Sequence, residues 1–162
     1  GGLRCVKYGV TRDYVLSLAG YLPTGEFVRW GRPTRKFATG YNLRDLWIGS
    51  EGTLGVVTEI TVRLILAVPN RVTFLGVFCD DQTALNTPLA LSKLGVLPSI
   101  IEYMDQWTID CLQKYVGFEV FSGIEPKPMV LIELDGAAES VVQESSLVEN
   151  WLKDQSLSFH SA

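Results

Sequence analysis

Apolar and polar positions change their spacing along this chain, and each spacing predicts an element. From Tyr14 to Leu22 the run "YVLSLAGYL" is apolar and strand-like. "PTGE" follows as a tight turn built on Pro23 and Gly25, and "FVRW" returns, so the pair reads as a β-hairpin. "YNLRDLWIG" carries Leu43, Leu46 and Trp47 at helical spacing, with Asn42 placed to cap a short helix and Gly49 placed to end it. "VVTEITVRLIL" alternates: Val56, Thr58, Ile60, Val62 and Leu64 fall on one face, Val57, Glu59, Thr61 and Arg63 on the other. A period of two predicts a half-buried strand of an antiparallel sheet, with Glu59 pointing outward.

The Pro/Asn break "AVPNRV" at Ala67 to Val72 marks a candidate domain boundary, and the pattern changes beyond it. "VTFLGVFC", "SIIEYM" and "MVLIEL" read as strands. Between them "QTALNTPLALSKLG" is helical and stops at Gly95. Pro88 either opens a shorter helix capped by Thr87 or kinks a longer one. "QWTIDCLQKYV" is helical with Trp107, Cys111 and Tyr115 on one face, and a last helix from about Ala138 to Lys153 carries the stripe Val141, Val148, Leu152. Strands alternating with helices predict an α/β sandwich of the ferredoxin-like kind.

Composition narrows the function classes. Nearly half of the 162 residues are apolar, enough for a core in one domain or two small pieces. The net charge of −4 and the scattered basic residues leave no footprint for nucleic acid or a membrane surface. Apolar runs are strand-length, so no membrane span is expected. Cys5, Cys79 and Cys111 are far apart and odd in number, which reads as reduced thiols packed as small core residues of a cytoplasmic protein. The single histidine, His160, sits in a polar tail and reads as a disordered surface residue, and no clustered His/Cys metal site can be built. Arg29, Arg32, Arg35 and Lys36 form a short basic stretch, for which a solvated loop is preferred over a role facing cofactor phosphates or an acidic substrate. Trp30, Trp47, Trp107 and Trp151 are expected to fill cores or interfaces.

The strongest candidate chemistry lies in "WIGSEGTLGVVT", where Gly49, Gly52 and Gly55 recur every third residue just before a strand. No Lys-Ser or Lys-Thr follows, which excludes a Walker loop, and the order helix, glycines, strand reverses a Rossmann fingerprint. Small residues and a carboxylate at a helix-to-strand junction free backbone N–H groups that can hold an anion or an adenine edge. Glu51 is expected to bond turn amides or a ribose hydroxyl.

"GSEGTLGVVTE", preceded by "RKFATGYNL" and before that by "GGLRCVKYGVTRDYVLSL", resembles the FAD-linked oxidase family with a PCMH-type (vanillyl-alcohol-oxidase-like) flavin domain. The nearest branch is the group of glycolate oxidases and D-lactate dehydrogenases. The similarity runs in order from Gly1 to about Leu66 and more weakly to Asp135, with "ELDG" at Glu133 to Gly136 resembling the cap domain. Tyr8, Gly9, Lys36 and Gly40 to Leu43 match further motif positions. Asn42 stands where the family carries Asp, and Ala19-Gly20 departs from the family's "LEVVLPDGE".

The resemblance implies an α+β fold. The second half of a PCMH-type FAD-binding domain, an antiparallel sheet with helices, would cover residues 1–68, and part of a ferredoxin-like α/β cap domain residues 69–162. It implies FAD as cofactor, with Glu51, Gly52, Thr53, Leu54, Gly55, Val56 and Val57 along its adenosine and pyrophosphate end and Gly1 and Gly2 passing close to it. It implies oxidation of a small 2-hydroxy acid, with no catalytic residue and no metal ligand in this stretch. The chain is expected to be a central piece of a longer protein, weak in FAD binding alone and prone to self-association or to pairing with the missing half. The alternatives are a non-catalytic module of the same fold and, within the family, an ether-lipid synthase or sugar-alcohol oxidase.

Overall fold

A computed structural model describes residues 2–116 and 126–162. The contacts divide them into two units, one comprising Val10–Leu66 and the other Gly2–Gly9 with Ala67–Ala162.

In the first unit a 3-10 turn, Thr11–Tyr14, leads into β1 (Val15–Tyr21), and the expected hairpin returns as β2 (Phe27–Gly31). Helix α2 (Leu43–Trp47) precedes β3 (Val56–Val62), while α1 (Cys5–Tyr8) belongs to the other unit. Asn42 caps α2 as expected, its side-chain oxygen accepting the Asp45 N–H at 3.2 Å. The sheet is antiparallel in the order β2-β1-β3. Val15, Leu18 and Trp47 form its core, with Val28, Trp30 and Leu54 packed against them.

The simple alternation expected for β3 does not hold. Its register against β1 slips between Ala19 and Gly20, leaving Thr58 without a partner: Glu59 pairs with Ala19 and Val57 with Gly20. Directly paired residues share a face, so Val57 joins Ile60, not Val56, on the side of Leu18. Gly20 is what the slip requires, because a Cβ there would lie 2.1 Å from the Val56 carbonyl oxygen. The departure "Ala19-Gly20" thus has a backbone cause. Nor is the strand half-buried: Val56, Ile60 and Val62 are 67%, 60% and 47% exposed, because no element of this unit covers them. Glu59 points outward as expected and pairs with Arg29 across Ala19.

The second unit has the strand order β5-β6-β4-β7, all antiparallel, from β4 (Asn70–Val77), β5 (Ile100–Met104), β6 (Met129–Gly136) and β7 (Ser158–Ser161). This is the ferredoxin-like arrangement. The helical stretch after β4 breaks into α3 (Asp81–Leu85) and α4 (Thr87–Lys93), with Pro88 in the first turn of α4. Thr87 does not cap; its hydroxyl donates to the Ala84 carbonyl at 2.6 Å. On one sheet face Phe74, Val130, Ile132 and Leu134 meet Val148 and Leu152 of α6 (Ala138–Gln155), all essentially buried, as the predicted stripe requires. Val77 and Met129 point the other way, onto Ile109 of α5 (Gln106–Val116).

Several sequence expectations are corrected. On α5 the buried residue is Ile109, while Trp107 and Tyr115 are 80% and 91% exposed and Cys111 is exposed. Cys79 is also exposed, so these two thiols are not core residues. The tail around His160 is no disordered segment: β7 pairs with β4, placing His160 opposite Leu75 with its side chain exposed.

The same sheet face that carries Met129 also carries Glu133 and Asp135, 8% and 4% exposed. The short helix α1 and the residue before it bring their partners. Arg4 grips Glu133 with Nε and Nη2 at 3.1 and 3.2 Å, and Ser99 donates to Glu133 Oε1 at 2.8 Å. Asp135 accepts Lys7 Nζ and the Tyr8 hydroxyl, each at 2.7 Å. Burial pushes the Asp135 carboxyl up, but bonds from Lys7 and Tyr8 and the charges of Lys7 and Arg4 outweigh it, leaving it below its ordinary value. Burial, then the bond to Asp135, raises the Tyr8 phenol to about 12.

Removing one partner of this buried set leaves a charge uncompensated, so Asp135→Ala is expected to cost about 3–5 kcal/mol in urea unfolding. The pH profile has two limbs. The depressed Asp135 contributes stability above its unfolded value near 3.8 and loses it as pH falls through the lower folded value. The raised Tyr8 contributes fully below 10.0 and loses its share as pH rises toward about 12. Tyr8→Phe should flatten the alkaline limb; an unchanged limb contradicts the assignment.

Candidate flavin-site turn

The junction between α2 and β3 is held by a few specific bonds. Arg12 closes the C-terminal end of α2, its two Nη atoms donating to the carbonyls of Asp45 and Ile48 at 2.5 and 2.8 Å. Asp45 is ionised beside it: the bond from Arg44 outweighs burial and holds its carboxyl below the ordinary range, helped by the charges of Arg44 and Arg12. The chain leaves α2 through Gly49, and Ser50 N–H donates back to the Trp47 carbonyl at 3.1 Å. Glu51 adopts a left-handed backbone (φ 51°), followed by Gly52 at φ 81°. Thr53 ties the turn to the Ser50 carbonyl twice, through its N–H at 3.0 Å and its hydroxyl at 2.7 Å.

Gly55 completes the turn at φ 150°, where a Cβ would lie 2.3 Å from the Tyr21 carbonyl and 2.9 Å from the Trp47 ring. The glycine therefore lets the strand start directly against the indole. Gly52 is different, with nothing within 4 Å of where its Cβ would stand. The N–H groups of Glu51, Gly52 and Leu54 make no hydrogen bond among the described residues. Amides freed in this way can serve an external acceptor.

An open groove of about 430 Å³ runs along this turn. Of the residues singled out in the sequence, Glu51, Gly52, Gly55, Val56 and Val57 line it. Thr53 fixes the turn instead, and Leu54 packs against the Val15, Leu18 and Trp47 core. Gly2 belongs to the other unit, where its N–H donates to Cys5 Sγ at 2.9 Å, and Gly1 lies outside the described residues. Glu51 is exposed and bonds none of the turn amides. Beyond Val56 and Val57, the groove's apolar lining comes from Val15, Leu18, Trp47, Ile48 and Ile60, none of which the sequence singles out as a cofactor contact. Trp47 was legible only as a core filler, and Leu18 and Ile60 join it through the β1–β3 register. The indole N–H of Trp30, packed beside this core, is buried without a partner among the described residues.

No family model matches the chain. Individual relatives do. The chain is 36% identical over 149 residues to "glycolate oxidase subunit GlcD" of Bacillus subtilis, covering 92% of this chain and 31% of the relative. It is 34% identical over 148 residues to "D-lactate dehydrogenase" of Anaerostipes hadrus, covering 89% and 31%. An "uncharacterized FAD-linked oxidoreductase" of Mycobacterium tuberculosis is 45% identical over 113 residues, covering 69% and 24%. The chain thus spans about a third or less of the length of these relatives. Among solved structures, alkyldihydroxyacetonephosphate synthase superposes with a TM-score of 0.71 at 20% identity, covering 99% of this chain and 32% of that one. p-Cresol methylhydroxylase with substrate bound gives 0.63 at 15%, covering 92% and 34%. At these identities the structural likeness establishes the fold.

The two glycines predict different outcomes. Gly55→Ala must displace backbone or Trp47, and a loss about 1–3 kcal/mol larger than that of Gly52→Ala is expected in urea unfolding, with a shift of tryptophan emission. Gly52→Ala meets open space and carries only the left-handed backbone cost of about 1–2 kcal/mol. Equal losses at both sites would contradict the close packing at Gly55.

Proposed function

Starting from a chain that is homologous to FAD-linked oxidases, we propose that it forms one wall of the flavin site of an enzyme that oxidises a small 2-hydroxy acid of the glycolate or D-lactate type. The observation that carries this reading is the groove at the α2–β3 junction, where the unbonded amides of Glu51 and Gly52 adjoin an apolar lining. Its volume suits one end of a dinucleotide, since pockets for whole drug-sized ligands run from about 300 to 1,000 Å³. Glu51 to Val57 would hold the adenosine and pyrophosphate end, and the open Cβ direction of Gly52 admits a ligand against the backbone. FAD, when bound, supplies the acceptor for the hydride leaving the α-carbon of the hydroxy acid. This chain's contribution is binding and orientation, and no described residue is assigned as the base.

The hydroxy-acid reading is favoured over ether-lipid synthesis by sequence: 36% and 34% identity to the glycolate oxidase and D-lactate dehydrogenase relatives, against 20% to the alkyldihydroxyacetonephosphate synthase structure. Three free cysteines suit a reducing compartment such as the cytoplasm. No helix among the described residues is long and apolar enough to cross a membrane. The apolar residues left exposed along and beyond β3, including Ile60, Leu64 at 88% and Leu66 at 92%, are covered in the working protein by further polypeptide in this reading.

The decisive experiment captures the protein from its native source and records its intact mass and visible spectrum. A bound flavin that bleaches on anaerobic addition of D-lactate or glycolate is the expected outcome. Flavin that no hydroxy acid bleaches points to the non-catalytic or ether-lipid alternatives, and absence of flavin overturns the proposal. The chain expressed alone is expected to self-associate, and a clean monomer at high concentration in light scattering contradicts the covered β3 surface.

A further inference from the structure

A second cleft in the first unit, of about 510 Å³, is lined by Arg12, Arg35, Arg44 and Arg63 together with Asp13 and Asp45. Four arginines against two aspartates leave two positive charges in excess. Both carboxylates are already engaged. Asp13 accepts the Val10 N–H at 2.8 Å, and Asp45 accepts Arg44 Nε at 2.7 Å. Arg44 is thus paired, while Arg12 and Arg63 are held in place by groups that do not cancel their charge. Arg12 is fixed on two backbone carbonyls, and Arg63 lies with its Cζ 4.6 Å from the Tyr14 ring centroid. Among the described residues Arg63 Nε is buried with no hydrogen-bond partner, and Arg35 makes no ion pair or hydrogen bond.

An N–H removed from water without an acceptor is costly, so a site that keeps one implies an acceptor from outside. Arg63, set against the Tyr14 ring, and Arg35, with no partner among the described residues, present forked donors of the geometry that tetrahedral oxyanions accept. We propose that this cleft binds a phosphate group, with Arg63 and Arg35 as its principal donors. A doubly charged phosphate matches the excess of two positive charges, whereas a monocarboxylate leaves one unmet. The inference does not depend on the flavin reading, since the cleft and the α2–β3 groove share only Val15 among their lining residues. The phosphate can belong to a nucleotide or to a free phosphate ion, and the experiment separates the two.

The full chain is titrated calorimetrically with inorganic phosphate, with ADP and with D-lactate at constant ionic strength, alongside Arg35→Gln and Arg63→Lys. Arg35 is exposed, so its substitution leaves the fold intact, as circular dichroism should confirm. The expected result is saturable phosphate binding that weakens with added salt and falls roughly 10-fold in Arg35→Gln, the loss of one charged hydrogen bond. Arg63→Lys, which keeps charge but not the fork, is expected to weaken binding as well. ADP binding tighter than phosphate, with the same sensitivity to Arg35→Gln, assigns the group to a nucleotide; equal affinity assigns it to free phosphate. Lactate binding as tightly as phosphate, no saturable phosphate binding, or binding unchanged in both variants overturns the proposal.

Discussion

A carboxylate on a buried sheet face must meet a cation or give up its charge, and β6 places two of them, Glu133 and Asp135, side by side on one face. No residue of β4 to β7 neutralises both. The cations come from Arg4 and Lys7, more than a hundred residues away in sequence, with Tyr8 adding a hydroxyl. That requirement assigns Gly2–Gly9 to the second unit although Val10, the next residue, begins the first. Buried ion pairs of this kind are poor sources of net stability and good sources of specificity, because any other docking leaves a charge unpaired. Here the specificity concerns which unit holds the segment Gly2–Gly9.

The first unit depends on a different constraint, close backbone approach. Gly20 sits where the Val56 carbonyl allows no side chain, and Gly55 where Tyr21 and Trp47 allow none. Together they let β3 slip register against β1 and begin directly on the indole. The slip moves Val57 to the side of Leu18 and Ile60, where it lines the groove. The turn in front is closed by the N–H groups of Ser50 and Thr53, the Thr53 hydroxyl and Arg12, and the amides of Glu51, Gly52 and Leu54 make no hydrogen bond among the described residues. Packing, register and ligand access are therefore one problem in this unit, solved at two glycines.

The elements themselves were legible. The β1–β2 hairpin, the Asn42 cap, the stripe on α6 and three of the four strands of the ferredoxin-like sheet follow from periodicity and turn chemistry. The faces were less so. α5 has Trp107, Cys111 and Tyr115 at proper helical spacing, yet buries Ile109, because the sheet offers Val77 and Met129 to that side. β3 alternates in sequence but carries a bulge, which a period of two cannot contain. The C-terminal tail lacks a strong pattern and becomes the fourth strand because β4 offers it an unpaired edge. At the site, the glycines and Glu51 were visible as a motif, while Leu18, Ile60 and the arginine cleft were not, since their members are gathered from separate elements.

What the sequence determined by itself is local: where strands and helices form, where turns must lie, and that three motifs in order, from Gly1 to Glu59, resemble one family. These rest on spacing and backbone preference, which neighbours in sequence decide. What only the tertiary structure decided is partnership: which face of α5 is buried, that Asp135 is a buried anion held by Lys7 and Tyr8, and that Arg12, Arg35, Arg44 and Arg63 line one cleft. The reason is physical. Burial and electrostatics act through distance in space, and the residues that set them here are separated by tens to more than a hundred positions along the chain.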